Sequence, residues 1–160
     1  MFRVSCIQLR SSDNIKKNIQ TTIKLIKKAA KQRTDFILTP EVSSFFSLNR
    51  QKLLKVSTTM NKDPYLNEIK KIAKNYKKWI LIGSIIVKIS RNKLVNRSIL
   101  IDKKGKVRTY YDKIHMYDVN LSKKEKYFES KSFNPGNKIK TFNLPWGKIG
   151  LSICYDLRFP

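Results

Sequence analysis

Three reactive side chains stand where short apolar runs end. Glu41 follows DFILTP at 35–40, Lys113 closes VRTYYDK at 107–113, and Cys154 closes KIGLSIC at 148–154. In α/β sheets the functional groups collect at the carboxyl ends of strands, where loops meet. An acid, an amine and a thiol gathered there suit nucleophilic acyl chemistry. A free thiol titrates near about 8.5, so little of it is thiolate at neutral pH. A carboxylate within reach can take its proton as general base, and Glu41 fits that work if it is poorly solvated. An ammonium nearby favours both the thiolate and the oxyanion of a tetrahedral intermediate.

Each residue alone also has a plainer reading. Cys154 by itself fits an inert buried cysteine. Glu41, after Pro40, fits a loop acid or a helix-start acid, and Lys113 is one among many lysines. His115, the sole histidine, reads as a structural hydrogen-bonder near the site. Cys6 sits mid-strand without a charged neighbour and reads as inert and buried. Two cysteines and no export signal make no disulfide framework, and no metal-ligand spacing exists. Neither a metal nor an organic cofactor is expected.

The rest of the composition bounds the class. The 160 residues are 41% hydrophobic and 11% aromatic, which suits one globular domain with a real core. No apolar run reaches the roughly 20 residues of a membrane span. MFRVSCIQLR lacks the apolar core of a signal peptide, so a cytoplasmic location is expected. The formal net charge is +24. Its lysines are scattered, with pairs at 16–17, 27–28, 70–71, 77–78, 103–104 and 123–124. Lys, Asn and Ile are all abundant and share A/T-rich codons, which accounts for lysine on solvated faces. No basic patch is interleaved with aromatics, so no specific nucleic-acid partner is expected.

The elements that must position the three groups follow from periodicity. FRVSCIQL at 2–9 alternates and predicts a strand. SSDN then caps an amphipathic helix over 14–32, on Ile15, Ile19, Ile23, Ile26 and Ala30. DFILTP predicts a buried strand stopped by Pro40. A second helix starts at Pro64, with Leu66, Ile69, Ile72, Ala73 and Tyr76 on one face. WILIGSIIV at 79–87 predicts a fully buried strand. LVNRSILID at 94–102 and VRTYYDK pair as a hairpin about KKGK, residues 116–138 read as mainly irregular, and TFNL pairs with KIGLSIC about PWG. The architecture is α/β with a mixed sheet.

TPE at 39–41, YYDKIHMYDV at 110–119 and GLSICYDLRFP at 150–160 together resemble the nitrilase, or carbon–nitrogen hydrolase, superfamily, and they occur in its order. FESKSFNPGN at 128–137 is similar to the family's segment bearing a second active-site glutamate. DKIHMYDV with FES and CYDLRFP is most similar to the bacterial nitrilase-like amidases, a group that includes omega-amidases and deaminated glutathione amidases. The resemblance implies the N-terminal portion of an αββα sandwich. It implies Cys154 as nucleophile, Glu41 as base, Lys113 as oxyanion stabiliser, and Glu129 as the acid that positions that lysine and orients the amide. The backbone N–H of Tyr155 would be a second oxyanion donor, in a turn of the nucleophile-elbow kind braced by Asp156 and Arg158. Thr39 departs from the family, which more often has an aromatic or aliphatic residue there.

The implied reaction is hydrolysis of the C–N bond of a small carboxamide through a thioester, releasing ammonia. Nitrile hydrolysis, acyl transfer and an inactive remnant are alternatives on the same residues. The implied partner is the small-molecule amide, with a homo-oligomer expected for the complete chain. Family members continue well past the nucleophile motif. Residues 1–160 are therefore read as one incomplete carbon–nitrogen hydrolase domain that lacks its C-terminal part.

Overall fold

A computed structural model describes residues 2–122 and 125–160; the lysine pair at 123–124 lies outside the described residues. Five strands form one mixed sheet in chain order: β1 (Val4–Cys6), β2 (Phe36–Leu38), β3 (Trp79–Ser90), β4 (Lys93–Ile101) and β5 (Val107–Asp112). The first two junctions are parallel and the last two antiparallel.

The parallel junctions need crossovers, and two amphipathic helices supply them on one face. Helix α1 (Ile15–Ala30) starts where the Asn14 side chain accepts the Lys17 N–H at 3.0 Å. A short helix, α2 (Arg50–Val56), precedes α3 (Pro64–Tyr76). Asp63 caps α3 by accepting the Leu66 N–H at 2.7 Å, and Pro64 occupies the first turn. Ile26, Ala29 and Ala30 of α1 and Leu66, Ile69, Ile72 and Ala73 of α3 bury against Ile37, Ile80, Ile82, Ile99 and Ile101 of the sheet.

The opposite face carries Phe36, Leu38, Leu81 and Leu100. It is covered by a hairpin of β8 (Thr141–Leu144) and β9 (Gly147–Gly150), through Phe142, Leu144 and Ile149. Leu151 and Ile153 extend that cover over Tyr111. The side chains of Tyr111, Asn96 and Lys113 lie on this second face.

Strand β3 changes parity to serve both faces. Ile80 and Ile82 face the helices, and so do Ile85 and Val87, three residues on rather than two. The register shift against β4 between Ile82 and Ile85 marks the bulge. WILIGSIIV therefore reads as one fully buried strand while in fact it turns over at Gly83–Ser84.

The structure corrects four expectations. Strand pairing at the N-terminus covers only Val4–Cys6, and Cys6 is exposed rather than buried. Residues 116–138 are more ordered than an irregular loop, holding a hairpin of β6 (Asp118–Asn120) and β7 (Lys126–Phe128) and a 3₁₀ turn at Glu129–Lys131. KIGLSIC is not a strand to its end: β9 stops at Gly150, and Cys154 opens a 3₁₀ turn. Helix α2, seven residues long, has no counterpart in the sequence reading.

Candidate active site

Glu41 is placed by the bulge of β3. Pro40 has no N–H to continue the ladder, so β2 ends at Leu38. The next residues are moulded on Gly83 and Ser84. Gly83 N–H donates to Thr39 Oγ1 at 3.2 Å, and Ser84 N–H donates to the Pro40 carbonyl at 3.2 Å. Val42 N–H donates to Ser84 Oγ at 2.8 Å, and Ser43 N–H to the Ser84 carbonyl at 2.9 Å. Position 83 has to be glycine, because a Cβ there would overlap the Thr39 carbonyl oxygen and stand 2.7 Å from the Pro40 carbonyl carbon. Val42 is forced to φ +50°, a costly conformation for a β-branched residue. Thr39 thus has a definite use: its hydroxyl joins Gly83 to Ser43 Oγ, which donates to it at 3.0 Å.

Lys113 is placed by alternation along β5. Tyr111 and Lys113 are two apart and share the face away from the helices. Lys113 N–H donates to the Asn96 carbonyl at 2.9 Å, which holds the strand's continuation beside β4. Its side chain is only 2% exposed. The ammonium reaches Glu41 Oε1 at 3.1 Å and both oxygens of Glu129, at 3.0 and 2.8 Å. Glu129 opens the 3₁₀ turn after β7 and also accepts the Tyr117 N–H at 2.7 Å.

Cys154 is placed by the turn that follows Ile153. Its φ is +49°, so a non-glycine residue is held in the left-handed region at the point where the chain reverses. Asp156 anchors that turn. Its Oδ2 accepts Ile153 N–H at 2.9 Å and the Tyr111 hydroxyl at 2.7 Å, and its Oδ1 accepts His115 N–H at 2.9 Å with His115 Nδ1 also at 2.9 Å. The His115 ring stacks on Phe159 at 3.9 Å between centroids. Of the two residues expected to brace the turn, Asp156 does so and Arg158 is exposed; the side-chain partner of Asp156 is the His115 ring instead. Tyr155, whose N–H lies one residue past the sulfur, packs its ring edge-on against Tyr117 at 5.2 Å.

The predicted residues Glu41, Lys113, Glu129 and Cys154 therefore line one cavity of about 140 Å³. Its remaining walls are mostly apolar: Phe46, Leu53, Ile86 and Phe133, with Tyr117 and Tyr127 beside the carboxylates. Two carboxylates share one ammonium at its floor. Burial alone would discharge Lys113, but the Glu129 and Glu41 partners outweigh it and hold its pKa above the ordinary lysine value. The Cys154 thiol is pushed up, first by burial and then by the charge and hydrogen-bond acceptance of Glu41. Lys113 acts in the opposite sense, as expected, but its charge is committed to the carboxylates and does not prevail. The resting arrangement is a protonated thiol beside a carboxylate, which calls for proton removal during attack.

Asn96 was not singled out by sequence. It lies on β4, on the same face as the site, and donates to Glu41 Oε1 at 2.8 Å. The available signal was weak, since Asn96 is followed at once by Arg97 and Ser98 in LVNRSILID and does not stand alone as a polar residue. Among the described residues no group of three or more His, Cys, Asp and Glu is placed to hold a metal ion, and no helix is long and apolar enough to cross a membrane.

Comparison with known proteins places this arrangement. The chain is 32% identical to the deaminated glutathione amidase of Yersinia enterocolitica over 160 residues, which covers 98% of this chain and 55% of that protein. It is 32% identical to omega-amidase NIT2 of Mus musculus over 164 residues, covering 99% of this chain and 56% of that one. Its fold matches the crystal structure of the Caenorhabditis elegans NitFhit protein with a TM-score of 0.88 at 27% identity, over 100% of this chain and 40% of that one. The chain thus spans about half the length of the curated relatives it matches. The carbon–nitrogen hydrolase family matches residues 3–160, and with the amidase-named relatives and the shared mixed-sheet fold, this chain belongs to it.

Proposed function

We propose that this chain carries the nucleophile-bearing part of an amide hydrolase working through Cys154, Glu41, Lys113 and Glu129. The single observation behind the reading is their convergence on one cavity from four separate stretches of chain. In this reading Glu41 takes the thiol proton as sulfur attacks the carboxamide carbon. The resulting oxyanion is met by the Lys113 ammonium and the Tyr155 N–H. The C–N bond then breaks, Glu41 returns the proton to nitrogen, and ammonia leaves a thioester on Cys154. Water, deprotonated by Glu41, attacks the thioester, and the carboxylic acid departs as the thiol is restored. Glu129 holds Lys113 in place and helps keep it charged throughout.

The substrate class rests on the relatives, two of which are named for omega-amides and deaminated glutathione. A small carboxamide with a short carbon chain suits the apolar walls formed by Phe46, Leu53, Ile86 and Phe133. In this reading residues 1–160 are one carbon–nitrogen hydrolase domain. The test is ammonia release from α-ketoglutaramate and related amides by the full-length protein. Wild type should release it and Cys154→Ala should not; equal rates from both would end the proposal.

A further inference from the structure

We propose that Asn96 is a positioning residue that selects which oxygen of Glu41 receives the thiol proton. The inference rests on the catalytic reading given above and concerns a residue to which that reading gives no part.

Asn96 is 1% exposed, in the middle of β4. Its Nδ2 donates to Glu41 Oε1 at 2.8 Å and lies 3.5 Å from Glu129 Oε1. Its Oδ1 is buried and has no hydrogen-bond partner. Buried acceptors are rarely left unpaired, so something fixes the amide in this orientation. The two carboxylates do so: the flipped amide would present its oxygen to both of them. The same contacts act in return on Glu41. Oε1 already accepts from Asn96 and from Lys113 Nζ at 3.1 Å. Among the described residues no such donor meets Oε2, which leaves it as the oxygen to take a proton and to return it into the cavity. Without Asn96, a single donor would hold the carboxylate, and either oxygen could turn toward the sulfur.

The charged and titratable groups around Glu41 come from every neighbouring element: Lys113 after β5, Glu129 in the 3₁₀ turn, Cys154 in its own turn, and Tyr117 and Tyr127 from the β6–β7 hairpin. A carboxylate that loses a neutral donor among such neighbours keeps its proton to higher pH.

The test is the pH profile of Cys154 alkylation by iodoacetamide on the full-length protein, read peptide by peptide so that exposed Cys6 is the internal control. Alkylation assisted by a carboxylate base falls away on the acid side. Asn96→Leu removes the donor while keeping the branching and the number of side-chain heavy atoms. Its acid limb should move to higher pH, so that below the wild-type midpoint Cys154 alkylates several-fold more slowly. The Cys6 profile should not change. Loss of packing alone would slow alkylation at every pH and leave the limb in place, and that result overturns the proposal.

If Asn96→Leu does not fold, the wild-type protein still decides. The Asn96 side-chain amide resonances should titrate with the midpoint of the acid limb and cease to do so in Glu41→Gln. Amide signals that stay flat across that range overturn the proposal. A Cys154 that reacts no faster than Cys6 would instead count against the catalytic reading, and the amide titration would still judge Asn96.

Discussion

Replacing Lys113 with methionine keeps the buried stem and deletes the charge. Glu129, 5% exposed in its side chain, would then face Glu41 with neutral donors only, the Tyr117 N–H and the Asn96 amide. Removing one partner of a buried ion pair costs about 3–5 kcal/mol. The loss has a ceiling, because a carboxylate can take up a proton instead. Protonating an ordinary glutamate, near about 4.3, costs about 4 kcal/mol at pH 7 and about 1 kcal/mol at pH 5. The native variant therefore binds more protons than its unfolded chain, and its stability falls as pH rises. Urea titrations at pH 5, 6 and 7, followed by fluorescence of Trp79 and Trp146, should show the gap to wild type widening by about 1.4 kcal/mol per unit, from roughly 1 to about 4 kcal/mol. A gap that is flat with pH, or below about 1 kcal/mol at pH 7, would show that Lys113 does not neutralise two enclosed carboxylates.

Gly83→Ala should lower stability by about 2–3 kcal/mol in a thermal melt, since the added methyl meets backbone that cannot yield. Ammonia release should fall with it as Glu41 is displaced; an unchanged melt refutes the mould. Asp156→Asn should cost roughly 2–3 kcal/mol at pH 7, because burial is outweighed by donors from His115, Tyr111 and Ile153 that hold this carboxyl below the ordinary 3.8. That advantage is present above pH 3.8 and disappears as pH drops through the depressed value, so urea midpoints of variant and wild type should converge in strong acid. Cys154→Gly should abolish hydrolysis yet raise stability by about 1 kcal/mol, by relieving the left-handed backbone; a destabilised variant would show that the elbow is unstrained.

The helices were legible because α1 and α3 are long enough to repeat their apolar spacing over several turns. The β6–β7 hairpin was not, since three residues per strand cannot display a period. The stretch ending at Cys154 was half legible. Ile149, Leu151 and Ile153 alternate and do pack on one apolar surface, but ladder bonding stops at Gly150 while the alternation goes on. Side-chain pattern reports burial and not pairing. The bulge was signalled only by Gly83 and Ser84 within WILIGSIIV, because the apolar residues on either side give no sign of which face each takes. Glu41, Lys113, Glu129 and Cys154 stood out together through their motifs. On physical grounds alone Lys113 carried almost no signal among 35 cationic residues. Its distinction is tertiary: it is enclosed between acids. Asn96 lay in view beside Arg97 and Ser98 within its strand, but only coordinates reveal that one end of it is left without an acceptor's due.

The unequal count of acids and ammonium groups at the cavity floor also gives the molecule a direction. The chain as a whole carries a formal net +24, while the floor holds two carboxylates against one ammonium. A dipolar guest with an anionic tail and a neutral amide head would be drawn in from a distance by the first and sorted by the second. In the proposed reading, the tail of such an amide would be held back at the threshold and its head admitted, so that the field would favour one orientation of the guest before any specific contact forms.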